Sequence, residues 1–172
     1  EKVLRVLAAE KGIAVAGNVY LVMSSATEPN YLEYAAQNTK YADGSELVQT
    51  AVEAALAECL TNRNDVIFLS ANGTSNKVAA MLNVSINRVH FIGLDFNGRK
   101  IGSRSMISNT GAGAATDVAM IKVTGTGCSF HNLSLKNNWT VAENLSAVKD
   151  WGIQTYWENC DIENLGATDL AN

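Results

Sequence analysis

The sequence predicts a mainly β protein: a right-handed parallel β-helix with a capping α-helix and a small N-terminal α/β segment. Three observations carry this. Three windows of chain repeat one apolar pattern without a gap, a helical segment stands just ahead of the first, and no window reverses through the two-residue turn that a hairpin needs.

The windows run from Leu82 to Leu94, from Ile121 to Leu133 and from Ile153 to Leu165. Laid over one another, they give three strictly apolar columns, Leu82/Ile121/Ile153, Phe91/Phe130/Ile162 and Leu94/Leu133/Leu165. Two more, Val84/Val123/Thr155 and Val89/Cys128/Cys160, are small or β-branched. Columns two residues apart point to one side of a strand, so one face is core while Asn83, Lys122 and Gln154 face water. The column Gly93/Asn132/Asn164 holds the residue types that enter the left-handed region at least cost, which predicts a bend in each copy. On this register Cys128 and Cys160 stack as a buried thiol ladder. The spacing is 39 residues from Val89 to Cys128 and 32 from there to Cys160, so residues 95–117 and 136–150 are read as loop excursions.

Upstream, residues 2–10 place Val3, Val6, Leu7 and Glu10 at helical spacing, with Gly12 as the stop. Residues 14–24 alternate as a strand, Pro29 marks a turn, and residues 30–42 show no clean period. Residues 46–60 read as the clearest helix, with Asp43 or Ser45 as its cap. Val66 to Leu69 is an unbroken apolar run, as in strands buried on both sides. The chain divides into residues 1–42 and residues 43–172, the latter one continuous fold. The chain opens at Glu1 without Met, which points to a processed or trimmed start, and its far end needs a partner, a symmetry mate or further sequence to cover it.

With 47% hydrophobic and 17% charged residues, the 172-residue chain is ordinary for a globular protein, so disorder is not expected. No apolar run approaches the roughly 20 residues of a membrane span. A net charge of −4 without a Lys/Arg block argues against nucleic acid. Three scattered cysteines, Cys59, Cys128 and Cys160, give neither a disulfide framework nor a zinc motif, so no metal and no cofactor is expected.

Candidate sites are few. His90 and His131 fall in different columns and are expected as exposed, uncoupled imidazoles without a nucleophile nearby. Asp161 and Glu163 lie on the outward side of the third window, with His131 sharing the column of Glu163, and are the weak catalytic alternative: a carboxylate pair for glycoside hydrolysis has this form, although outward acids mostly solvate a sheet. Trp139, Trp151 and Trp157, with Tyr156, offer either a sugar-stacking platform or a packing surface for another subunit. The sequons at Asn72, Asn83, Asn132, Asn138 and Asn144 are Asn-rich turns unless the chain enters a eukaryotic secretory route.

The order ELVQTAVEAALAECL, DVIFLSANGT and RVHFIGLD resembles the opening of pectate-lyase-like right-handed β-helix proteins. The upstream GNVYLVMSS and YADGS stretches look like a group of phage and prophage virion proteins, and the resemblance spans residues 13–165. It implies a non-enzymatic structural protein of a tailed-phage virion, a head decoration, cement or tail-surface protein. The implied partners are other virion proteins of capsid or tail, further copies of itself, and glycans. The acidic calcium ligands of the lyases have no counterpart here. The alternatives are a tailspike-like polysaccharide depolymerase and a secreted carbohydrate-binding adhesin.

Overall fold

The computed structural model describes residues 1–24, 28, 30–70, 76–94, 105–109, 119–139 and 146–164. Predicted features at Pro29, Asn72, Asn144 and Leu165, and most of the excursion at 95–117, lie outside these residues. The chain is mainly β, with its strands parallel.

Helix α1 (Lys2–Glu10) ends just ahead of Gly12, which takes a φ of 75° as expected, but its buried residues are Leu4 and Ala8, whereas Val3 and Val6 of the expected apolar face are 71% and 59% exposed. Strand β1 (Val19–Val22) follows, then the short helix α2 (Tyr31–Ala36), strand β2 (Val48–Gln49) and helix α3 (Val52–Glu58). The helix predicted over residues 46–60 is therefore shorter, beginning at Val52, and residues 48–49 ahead of it are strand. β2 pairs in parallel with β1, and Leu21 and Met23 donate backbone hydrogen bonds to the carbonyls of Leu47 and Gln49 at 2.6 and 2.9 Å. Leu47 and Val48 are buried in this arrangement, and the open edge of β1 gains partners that a longer helix would deny it. Neither Asp43 nor Ser45 caps α3. Ala51 holds that position without a side-chain bond, while Asp43 Oδ1 accepts from the Ser45 backbone N–H and hydroxyl.

Strand β3 (Asp65–Leu69) is buried along its whole length. After it come β4 (Lys77–Val78), β5 (Leu82–Val84), β6 (Val89–Gly93), β7 (Ser105–Asn109), β8 (Ile121–Val123), β9 (Ser129–His131), β10 (Leu133–Asn137), β11 (Val148–Asp150), β12 (Tyr156–Glu158) and β13 (Asp161–Asn164). They form three sheets, ordered β12-β9-β6-β3-β1-β2, β13-β10-β7-β4 and β11-β8-β5. From β5 onward the chain visits the three sheets in one fixed order, three times. The predicted excursions are thus partly strand: β7 lies in the first, and the end of β10 and all of β11 in the second.

One apolar core collects side chains from all three sheets, among them Phe91 and Phe130, Ile107 and Leu135, Val84 and Ile121. α3 contributes Val52, Ala55 and Leu56 to it, against Tyr20, Val22, Ile67 and Leu69. On the other face of the six-stranded sheet a second cluster packs Leu4, Ala8 and Ile13 on Val19, Leu21, Val66, Phe68 and Ile92. This double coverage explains the unbroken apolar run of β3.

The predicted register holds between the first two windows. Leu82 faces Ile121, Val84 faces Val123 and Phe91 faces Phe130, whose rings stack at 5.0 Å and 5°. It fails for the third. Ile121 faces Val148, not Ile153, and Phe130 faces Trp157, not Ile162, with those rings stacked at 4.0 Å and 8°. Ile162 faces Leu135 in another sheet, and Ile153 and Ile162 are 66% and 51% exposed. Cys160 accordingly sits away from the Cys128 position, and the thiol ladder does not form; the Cys160 thiol instead contacts the Phe130 and Glu158 carbonyls at 3.4 Å each. Leu94 packs with the outer cluster, whereas Leu133 lies in the inner core.

The bend column is corrected too. The left-handed residues are Asn132 and Asn159, at φ 55° and 51°, and the Asn159 amide donates to Asn132 Oδ1 at 2.8 Å. Gly93 is glycine for another reason, because a Cβ there would strike the Asn132 carbonyl oxygen. Asn164 is the exposed end of an amide ladder that is buried at Asn109 and Asn137: Asn109 donates to Asn137 at 2.6 Å, and Asn137 donates to Asn164 at 2.9 Å. Before each strand of the six-stranded sheet from β3 on, a second left-handed position recurs at Asn64, Arg88, Gly127 and Gln154.

Candidate functional site

The outer face of the six-stranded sheet changes character where α1 stops. Two rows of side chains cross its strands, Val66, His90, Ser129 and Tyr156 in one, and Phe68, Ile92, His131 and Glu158 in the next. Under α1 the rows are apolar; past its end they turn polar. Period-two alternation puts Ser129 and His131 on the same side of β9, and parallel pairing brings His90 and Glu158 beside them from the neighbouring strands.

The resulting contacts form one chain. Ser129 Oγ lies 2.8 Å from His90 Nδ1 and 2.9 Å from His131 Nε2. His131 Nδ1 lies 2.8 Å from Glu158 Oε2, and Lys11 Nζ reaches Glu158 Oε1 at 3.3 Å. A carboxylate only accepts, so His131 carries its proton on Nδ1 and donates to Glu158. With that imidazole neutral, Nε2 accepts from the Ser129 hydroxyl, and His90 donates its Nδ1–H to Ser129 Oγ. His131 is 1% exposed and Ser129 is 7% exposed. The hydrogen bond from His131, then that from Lys11, holds the Glu158 carboxyl below its usual range. A cavity of about 390 Å³ opens over this group, with Lys11, Arg88 and Tyr156 among its walls.

The two histidines, expected from the sequence to be exposed and uncoupled, both bind one hydroxyl, and His131 is buried. The column shared by His131 and Glu163 does not form. Glu158 takes that place, while Glu163 lies in another sheet, facing Lys136 at 3.7 Å, and Asp161 faces Ser134. The weak catalytic pair Asp161 and Glu163 is therefore not joined to either imidazole. Among the described residues, no group of three His, Cys, Asp or Glu side chains is placed to hold a metal ion.

The tryptophans do not share a platform. Trp139 is fully buried in the inner core and cannot stack on a sugar. Trp157 lies on Phe130 and donates its indole N–H to Asp150 Oδ2 at 2.8 Å. Trp151 is exposed, with the Lys122 and Lys149 ammonium groups 5.0 and 5.9 Å from its ring.

Burial pushes the His90 imidazole down to about 4, with nearby His131 acting in the same direction and Asp65 against it. Its folded value is thus below the ~6.5 of an unfolded histidine. The unfolded chain takes up a proton first, so this contribution is complete above about 6.5 and is lost as pH falls toward 4. On the order of 2 kcal/mol is expected to disappear across that window, after allowance for partial exposure. Thermal unfolding of His90→Gln from pH 7 to 4 checks this: the variant should lose the wild-type slope above about pH 4, and an unchanged slope refutes the assignment.

No protein-family model, curated protein or solved structure matches this chain.

Proposed function

We propose that the chain forms the opening of a right-handed parallel β-helix and serves as a structural protein of a tailed-phage virion, at the head surface or the tail, through assembly contacts. The observation that carries the assembly reading is the apolar surface around the last described strands. β11, β12 and β13 each end the order of their sheet, and around them Trp151, Ile153, Tyr156 and Ile162 are 59%, 66%, 56% and 51% exposed. Apolar side chains gathered at one end mark a surface that another chain covers. The strand order supports the fold reading: three parallel sheets visited in rotation about one core need each new level to climb on the last.

Sedimentation of the purified chain tests the proposal. A species heavier than the monomer is expected, and Ile153→Lys with Ile162→Lys should shift it toward the monomer. A stable monomer that stays in solution at every concentration tried overturns the assembly reading.

A further inference from the structure

We propose that Ser129, His131 and Glu158 form a hydrolytic site for short carboxylic esters, a function separate from the assembly role. Three observations point to it. The connectivity is that of an activated serine: hydroxyl to Nε2 of one imidazole at 2.9 Å, and Nδ1 of that imidazole to a carboxylate at 2.8 Å. The nucleophile is placed on a strand paired on both sides, one in from the sheet edge, not on a loop. Ser129 and His131 also line an open cavity of about 390 Å³, room for a small acyl group and its alcohol, whose wall carries the cationic Arg88 and the Glu158-paired Lys11.

The chemistry closes on these groups. Ser129 Oγ bonds to the ester carbonyl carbon while its proton passes to His131 Nε2. Glu158 accepts from Nδ1 and steadies the imidazolium. The carbon–oxygen bond to the alcohol then breaks, and the departing alkoxide takes the proton from Nε2, leaving an acyl-serine. Water repeats the sequence, releasing the carboxylic acid and restoring the hydroxyl. The Nδ1–H of His90 remains on Ser129 Oγ and orients it. His90 and Glu158 are positioning residues; Ser129 and His131 meet the substrate.

Two measurements on the intact chain test the site. A fluorophosphonate should attach covalently at Ser129, with loss of fluoride, and peptide mass mapping should place the adduct there. Hydrolysis of p-nitrophenyl acetate should fall by about 10²-fold or more in Ser129→Ala and in His131→Gln. Glu158→Gln should lower kcat more than it raises KM and move the acidic limb of the kcat/KM profile to lower pH, which a role confined to packing would not do. Lack of an adduct at Ser129, or hydrolysis that persists in Ser129→Ala, overturns the proposal. Because Tyr156 belongs to both the cavity wall and the assembly surface, both results are also read in the Ile153→Lys, Ile162→Lys chain.

Discussion

Replacing Asp65 by alanine is expected to destabilise the protein by about 3–5 kcal/mol, the range found when one partner of a buried ion pair is removed. Asp65 opens β3 and is fully buried. Its carboxylate accepts from the Asn18 and Leu60 backbone N–H groups at 2.7 Å each, and from Arg63 Nε at 2.7 and 2.9 Å. Those donors belong to three separate stretches: the entry to β1, the exit from α3 and the turn before β3. One side chain thus joins the elements that start the sheet. Arg63 continues the network to Asp43 Oδ2 at 2.6 Å and to the Tyr20 hydroxyl at 2.9 Å. Alanine would leave two backbone donors and the Arg63 Nε–H unmatched in a poorly solvated place, while the rest of the guanidinium keeps Asp43 and Tyr20. Urea unfolding measures the loss, and repeating it in an Arg63→Met background should make it smaller because the Nε–H that Asp65 satisfies is gone. A loss under about 1 kcal/mol in the wild-type background would show that water reaches these donors freely.

Phe130→Ala is expected to cost a similar amount, about 3–5 kcal/mol. The ring is fully buried between Phe91 and Trp157, so its removal opens a cavity and breaks two stacked contacts together. Because the neighbouring rings are held in nearly parallel planes by the strands that carry them, they cannot close the gap without disturbing backbone pairing. Phe130→Leu, which refills part of the volume, should cost less. A double-mutant cycle with Phe91→Ala should show coupling of about 0.5–3 kcal/mol. Additive losses would mean that the two rings do not share one packed column.

The same stack shows how far local pattern reaches. Phe91 and Phe130 are aligned correctly by the 39-residue spacing, since apolar columns and polar neighbours agree along the whole window. The third level was misaligned by five residues, and the reason is physical. Short strands in different sheets carry the same two-residue alternation, so hydrophobicity alone does not distinguish β12 from β13. The amides do distinguish them. Phe130-His131-Asn132 followed by Asn137 matches Trp157-Glu158-Asn159 followed by Asn164 at a spacing of 27, with a bend amide first and a ladder amide second. The left-handed residues were only partly readable, because Asn64 and Gly127 are usual there while Arg88 and Gln154 are not. Stacked backbone hydrogen bonds, Arg88 N–H to Thr126 and Gly127 N–H to Ile153, help hold them in place.

The candidate site was half legible in the same way. Ser129 and His131, two apart on a strand, must share a face, and the 39-residue spacing already places His90 beside Ser129. Glu158 was lost with the third register.

The amino-acid sequence by itself determined the apolar faces of the first two windows, the parallel sense implied by a repeat without hairpins, the existence of α1 with its glycine stop, and the doubly buried run of β3. Only the tertiary structure decided that residues 48–49 join a sheet edge, which strand lies beside which at the third level, and that His131 is enclosed. Alternation tells a side chain which way to face, whereas its neighbour across the sheet is chosen by backbone hydrogen bonds and by the volume left between strands far apart in the chain.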